Sequence, residues 1–246
     1  MTIAVTNDDG YTEGAMILLR AAKKHSKEAY ALLPDRQRSA VSSALTLHKP
    51  LRLIEREKDV YTLSGTPADC SLFAIHSGKL PKPDLIFSGI NWGDNAGVSP
   101  LVSSGTIGAC WKAAVYGVPA IAFSLYRASG DRLGWMKAGN WQPELLEKKV
   151  EEIYTLLKPK IAPGKFFVVN FPSFEHLETA KIVFPKKMQP VRFAVEVDER
   201  HDPYGHPYYW VGGSERKPLE GSDLYEIAVN GNTTVKEIRL ANLILE

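Results

Sequence analysis

Cysteine is scarce: Cys70 and Cys110 are the only two in 246 residues, and neither belongs to a C-x-x-C pair. That excludes a disulfide scaffold and makes a reducing, cytoplasmic compartment the expected setting. Neither charge sign dominates. With 30 Lys and Arg against 28 Asp and Glu, the formal net charge is +2. So small a surplus argues against a bulk electrostatic nucleic-acid binder, and no stable nucleic-acid partner is expected. Long apolar runs are missing as well. No stretch approaches the about 18 residues that a membrane span needs. The chain opens on a strand-like pattern rather than on a basic stretch followed by an apolar one, so no secretory signal is expected. There is no internal repeat and no low-complexity tract. A P-loop, G-x-x-x-x-G-K-[ST], is absent, and no G-x-G-x-x-G follows the first strand, which leaves a dinucleotide reading without support.

What is present is a globular composition, 44% hydrophobic and 24% charged, at a length that suits one or two domains. Residues 2–6 (TIAVT) read as a short buried strand, and 12–26 as a helix with Ile17, Leu18, Ala21 and Ala22 on one face. Strand-like AYALL (29–33) and turn-like PDRQRSA (34–40) follow, then a β-pair at 51–55 and 60–64. Thr66-Pro67 opens a helix to about His76, because Thr caps and Pro is tolerated in a first turn. Residues 85–88 read as a buried strand, 89–105 as a polar Gly-rich loop, 106–117 as a helix and 119–125 as a strand. This alternation of β and α implies parallel strands with crossover helices, a Rossmann-like doubly wound α/β sheet. After an amphipathic helix at 144–158 and a strand at 165–171 the pattern turns β-rich: AKIVF, VRFAVEV and PYYWVG, then a last helix and strand at 222–230 and 233–240. The division expected is a catalytic domain over 1–172 and a smaller β-rich part over 173–246 with a protruding hairpin. That hairpin is a candidate contact between copies, to be tested by gel filtration of a chain lacking 190–212.

In open α/β sheets, ligands bind beyond the carboxyl ends of the strands. Three loops at such ends are rich in oxygen: NDDG (7–10), PDRQRSA (34–40) and SGINWGDN (88–95). Asp8 and Asp9 repel each other and have no local Lys or Arg. Gly10 lets the chain turn so that both approach one point. A divalent cation, magnesium or manganese before others, prefers such oxygens and cancels the repulsion, with Ser39 and Asn91 as neutral ligands. An ordinary solvated turn or helix cap explains Asn-Asp-Gly equally well. Ser104, Gly105 and Thr106 stand at a helix start, where unpaired N–H groups and the dipole suit an anion; a plain Ser/Thr cap is the bland alternative. Arg36 and Arg38 flank Ser39 as anion-steering or simply solvated side chains. Trp92 offers a face for a base or a core packing surface. His201 and His206 in HDPYGH fit zinc spacing poorly.

The motifs NDDG (7–10), PDRQRSA (34–40), GTPADC (65–70), SGINWGDN (88–95), SGTIGA (104–109) and VNFP (169–172) occur in one order over roughly the first 172 residues. In this the chain resembles the SurE family, the stationary-phase survival proteins that act as metal-dependent nucleotidases. The resemblance implies a Rossmann-like N-terminal part and a C-terminal part engaged in oligomer exchange, as a homodimer or homotetramer. It implies one divalent metal per subunit on Asp8, Asp9, Ser39 and Asn91, with Asn95 and the Ser104-Gly105-Thr106 turn beside the phosphate. The segment 96–103 departs from the pattern, carrying Ser99-Pro100 and Ser103 where the family often has Tyr or His. The function expected is hydrolysis of nucleoside 5′- or 3′-monophosphates, the 5′ esters before the 3′, by metal-activated water, with Asp8 or Asp9 handling the water's proton. Two rivals are a nucleotide-binding protein without turnover and a receiver-like signalling module. The receiver reading lacks an Asp after a later central strand: Asp84 precedes its strand, and Tyr126-Arg127 stand where a Lys would be needed.

Overall fold

The fold is that of a computed structural model, which describes residues 1–128 and 141–242. Its first half runs β1 (Thr2–Thr6), α1 (Glu13–His25), β2 (Glu28–Pro34), β3 (Leu53–Glu57), β4 (Val60–Leu63), α2 (Pro67–His76), β5 (Leu85–Trp92), α3 (Val98–Ser103), α4 (Gly105–Val115) and β6 (Ala120–Leu125). The second half adds α5 (Pro143–Leu157), β7 (Lys165–Phe171), α6 (Phe174–Leu177), β8 (Ile182–Val183), β9 (Glu196–His201), β10 (Pro207–Gly212), α7 (Asp223–Ala228) and β11 (Thr233–Arg239).

Nine strands form one sheet in the order β3-β4-β2-β1-β5-β6-β7-β11-β8. From β4 to β7 every neighbouring pair is parallel, and β1 lies between β2 and β5. The doubly wound α/β arrangement expected from the alternation is therefore present. Central parallel strands are covered on both faces, which is why β1, β5 and β6 read as near-continuous apolar runs. One face packs Phe87, Phe123, Phe171 and Tyr154 with α1 and α5; the other packs Leu32, Ile107, Cys110 and Phe166 with α2 and α4. Both cysteines are buried and free.

The local signals explain the helices. Thr12 caps α1 by accepting from Ala15 N–H, with Glu13 in the first turn and Lys23, Lys24 and His25 in the last. Thr66 and Asp69 form a capping box on α2, with Pro67 in its first turn. Ser104 caps α4 by accepting from Ile107 N–H.

Several boundaries move. The strand expected at 51–55 forms at Leu53–Glu57, with a register shift between Glu55 and Glu57. The strand expected at 85–88 continues to Trp92 through a register shift between Ser88 and Asn91, and α3 interrupts the loop expected at 89–105. Strand β9 begins at Glu196, beyond most of VRFAVEV; Phe193 keeps only an isolated bridge to Glu215. β9 and β10 pair as an antiparallel hairpin with every residue exposed. The late strands do not all stand apart. β11 pairs antiparallel with β7, and β8 pairs with β11, so chain from both sides of residue 172 builds the main sheet. Among the described residues no helix is long and apolar enough to cross a membrane.

Candidate active site

The turn after β1 is held from inside. Asn7 is fully buried. Its Nδ2 donates to Gly10 O at 2.7 Å and Thr12 Oγ1 at 3.2 Å, and its Oδ1 accepts from Gly10 N–H at 3.0 Å. Gly10 has φ +83, and a Cβ there would meet Pro34 O at 3.2 Å, so the acid loop lies directly on the end of β2. Asn7 was legible in the sequence only as part of the polar run. Its work is to fold the turn that carries the two acids.

Asp8 is 4% exposed. Thr106 Oγ1 donates to its Oδ1 at 2.6 Å, and Arg38 N–H donates to its main-chain oxygen at 2.6 Å. Burial pushes the Asp8 carboxyl up to about 6; the Thr106 hydrogen bond pulls down, and the Asp9 charge pushes up again. Asp9 is also raised, by burial, against a hydrogen bond from Gln37. No Lys, Arg or His pairs with either acid among the described residues. Two adjacent carboxylates thus sit in a desolvated turn with their charge uncompensated, a costly arrangement unless a cation completes it.

Gln37 links the second loop to the first. Its Nε2 lies 3.4 Å from Asp9 Oδ1 and 3.1 Å from Ser39 Oγ, which draws the Ser39 hydroxyl beside the acid. Gln37 is a site residue that the sequence did not mark. Arg38 is part-buried rather than solvated: Nη2 reaches Asp35 at 3.4 Å, and Nε is a buried donor without a partner among the described residues.

Asn91 stands at the carboxyl end of β5, the strand beside β1. Its Nδ2 donates to Gly93 O at 2.6 Å, which fixes the amide and leaves Oδ1 without a donor among the described residues. Among the described residues no hydrogen bond joins Asn91 to either acid. Asn95 lies further along the edge, its N–H bonded to Asn170 Oδ1 at 2.7 Å and its Nδ2 to Ser124 Oγ at 2.8 Å. The Ser104–Thr106 turn packs against Asp8 itself. A Cβ on Gly105 would lie 2.8 Å from Asp8 Cβ, and the Thr106 hydroxyl is committed to Asp8. The close approach that Gly105 permits is that of the acid.

The donor set is two carboxylates, a hydroxyl and an amide oxygen, without sulfur or imidazole. That chemistry fits a hard divalent cation. Among the described residues no group of three or more His, Cys, Asp or Glu is placed to hold a metal. An ion here would rest on Asp8 and Asp9 as its only charged ligands. His201 and His206 sit exposed on the hairpin, each facing an acid, Glu199 and Asp202.

A family model described as survival protein SurE matches residues 3–191. The chain belongs to the SurE family. It is 36% identical to the 5′-nucleotidase SurE of Thermofilum pendens over 99% of this chain and 92% of that protein. It is 35% identical to 5′-nucleotidase SurE 1 of Thermus thermophilus over 92% of this chain and 87% of that protein. The crystal structure of the SurE protein from Aquifex aeolicus superimposes with a TM-score of 0.78 at 29% identity, covering 98% of this chain and 94% of that one.

The SurE match ends one residue before a lock on the site loop. The Arg192 guanidinium pairs through Nη1 with the Asp94 carboxylate. Its Nε bonds Glu215 at 2.7 Å and its Nη2 bonds Arg127 O at 2.9 Å, and it lies over the Tyr126 and Phe193 rings. Asp223 adds a second tie, accepting from Gly97 N–H and Gln189 N–H at 2.7 Å each. These contacts hold residues 94–97, which follow Asn91 and include Asn95, from the C-terminal side.

Proposed function

We propose that the chain is a phosphoric monoester hydrolase of the 5′-nucleotidase type, cleaving nucleoside 5′-monophosphates to nucleoside and phosphate. Membership of SurE and the names of the Thermofilum and Thermus relatives support the reaction class. The observation that carries the site is the buried Asp8 beside part-buried Asp9, with no cationic side chain paired to either among the described residues and with Gln37 and Ser39 drawn against them. In this reading Asp8, Asp9, Ser39 and Asn91 hold one magnesium or manganese ion. When bound, the ion screens a phosphoryl oxygen and acidifies the attacking water.

The chain's own residues divide the remaining work. Asp8 commits Oδ1 to Thr106, which fixes its carboxylate plane. Among the described residues Asp9 has only the long hydrogen bond from Gln37, which makes it the better placed of the two to orient the water and take its proton. In this reading the N-terminus of α4 adjoins the phosphate, where its fixed dipole stabilises charge moving toward the leaving oxygen, and Asn95, held by Asn170 and Ser124, shapes the loop beside it. No covalent nucleophile is needed. Buried free cysteines suit the cytoplasmic setting. The β9–β10 hairpin presents Val197, Trp210 and Val211, all more than half exposed, as the contact between copies in a dimer or tetramer.

The test is a screen of nucleoside 5′- and 3′-monophosphates for phosphate release, with EDTA and then magnesium or manganese restored. Release that stops with EDTA and returns with metal is expected, together with loss of turnover in Asp8→Asn. Near-normal turnover in Asp8→Asn, or tight nucleotide binding without release, contradicts the reading. For the hairpin, gel filtration of a chain lacking 196–212 is expected to show a smaller assembly; an unchanged size contradicts that contact.

A further inference from the structure

A second hollow opens beside the acid loop. Tyr11, Pro34, Asp35, Arg56, Glu57 and Thr62 line a cavity of about 320 Å³. Its lining residues adjoin the acid loop. Tyr11 follows Asp9 by two residues, so their Cα atoms are within about 8 Å of each other. Pro34 is the residue whose carbonyl meets Gly10, and Asp35 precedes by two the Gln37 that bonds Asp9.

The walls are set by hydrogen bonds. The Tyr11 hydroxyl donates to Glu57 Oε1 at 2.8 Å, which fixes the ring while 55% of the residue stays exposed. Arg56 Nε donates to Thr62 Oγ1 at 2.9 Å, and its terminal nitrogens have no partner among the described residues. Asp35 engages Arg38 through one oxygen, at 3.4 Å. An open aromatic face, a guanidinium with unused donors and two carboxylates match the parts of a nucleoside. A base stacks on the ring, its carbonyl and ring nitrogens accept from the guanidinium, and ribose hydroxyls donate to carboxylates. Trp92 is the competing aromatic, but its ring packs edge-on to Trp141 at 5.2 Å and against the core.

We propose that the hollow between Tyr11 and Arg56 holds the nucleoside half of the substrate, with the base on Tyr11. This rests on the phosphomonoesterase reading above. The chain then prefers nucleotides over phosphate esters that lack base and ribose.

Two measurements test it. The first compares adenosine 5′-monophosphate with glycerol phosphate as substrates of the metal-loaded enzyme and its Tyr11→Ala variant. About a ten-fold rise in KM is expected for the nucleotide alone, with kcat and the glycerol phosphate constants unchanged. Tyr11→Phe is expected to keep most of the nucleotide affinity, since it keeps the ring. The second is calorimetry of adenosine, which needs no turnover: binding to the wild-type chain is expected, weakened about ten-fold in Tyr11→Ala. Equal effects of Tyr11→Ala on both substrates, or adenosine binding that ignores the substitution, overturns the subsite. Failure of the wild-type chain to cleave any ester sinks the reaction class instead, and the adenosine measurement still decides the subsite.

Discussion

Thr106 Oγ1 lies 2.6 Å from Asp8 Oδ1 across 98 residues of sequence. This bond ties the start of α4 to the turn after β1. It also holds the Asp8 carboxyl lower than burial alone would. Thr106→Val keeps the shape and removes the donor. We expect it to reduce metal affinity or kcat/KM about 10- to 100-fold, the usual effect of losing a group that orients a ligand. Thr106→Ser is expected to restore most of it. The check is steady-state phosphate release across a manganese titration; a Val variant with wild-type metal dependence contradicts the role.

The metal-free chain has a pH-dependent stability set by Asp8. Burial raises this carboxyl from 3.8 to about 6. The folded state therefore binds the proton more tightly than the unfolded chain. Stability is greatest below about pH 4, falls as pH rises to about 6, and loses nothing more through this group above that. A shift of this size corresponds to roughly 3 kcal/mol. In EDTA, Asp8→Asn should then be more stable than wild type by up to about that amount near pH 7.5, and equal to it near pH 4. Urea unfolding measures both. Adding manganese at the higher pH is expected to reverse the order, because only the wild-type site gains binding energy. A wild-type chain already as stable as the variant in EDTA at that pH contradicts the uncompensated charge.

The Arg192–Asp94 pair predicts an asymmetric mutational response. Asp94 is 1% and Arg192 11% exposed at the side chain. Arg192→Ala leaves a buried carboxylate without its cation and is expected to cost about 3–5 kcal/mol. Removing both charges, Asp94→Ala with Arg192→Ala, should cost less than the sum of the single changes. Urea unfolding of the four chains of that cycle checks this; strictly additive losses contradict the pairing.

The sheet was the most legible part of this molecule, because parallel strands buried on both faces leave unbroken apolar runs such as Leu85–Phe87 and Ala120–Leu125. β5 looked short because Gly89 and Asn91 break its pattern where the register shifts. The acids were legible for a different reason: two adjacent carboxylates with no local cation are a problem visible in the sequence. Their supports were not. Gln37 and Asn7 act by amide geometry, which no spacing rule reveals. Thr106 sits where an anion-binding turn is expected, yet its hydroxyl faces Asp8. Arg192 meets Asp94 over a separation that has no local signature. The protruding hairpin was legible from its turn-rich centre, and β9 and β10 do form a two-stranded sheet outside the main one; the exposure of Val197, Trp210 and Val211 on it was not legible.

The central claim is that one divalent cation sits between Asp8 and Asp9, with Ser39 and Asn91 completing its shell. The most direct measurement is anomalous diffraction from crystals of the wild-type chain soaked in manganese, collected at the manganese edge. The account predicts one strong peak in coordination contact with both carboxylates, absent in Asp8→Asn. No peak beside the doublet, in crystals whose site is open to solvent, would contradict it.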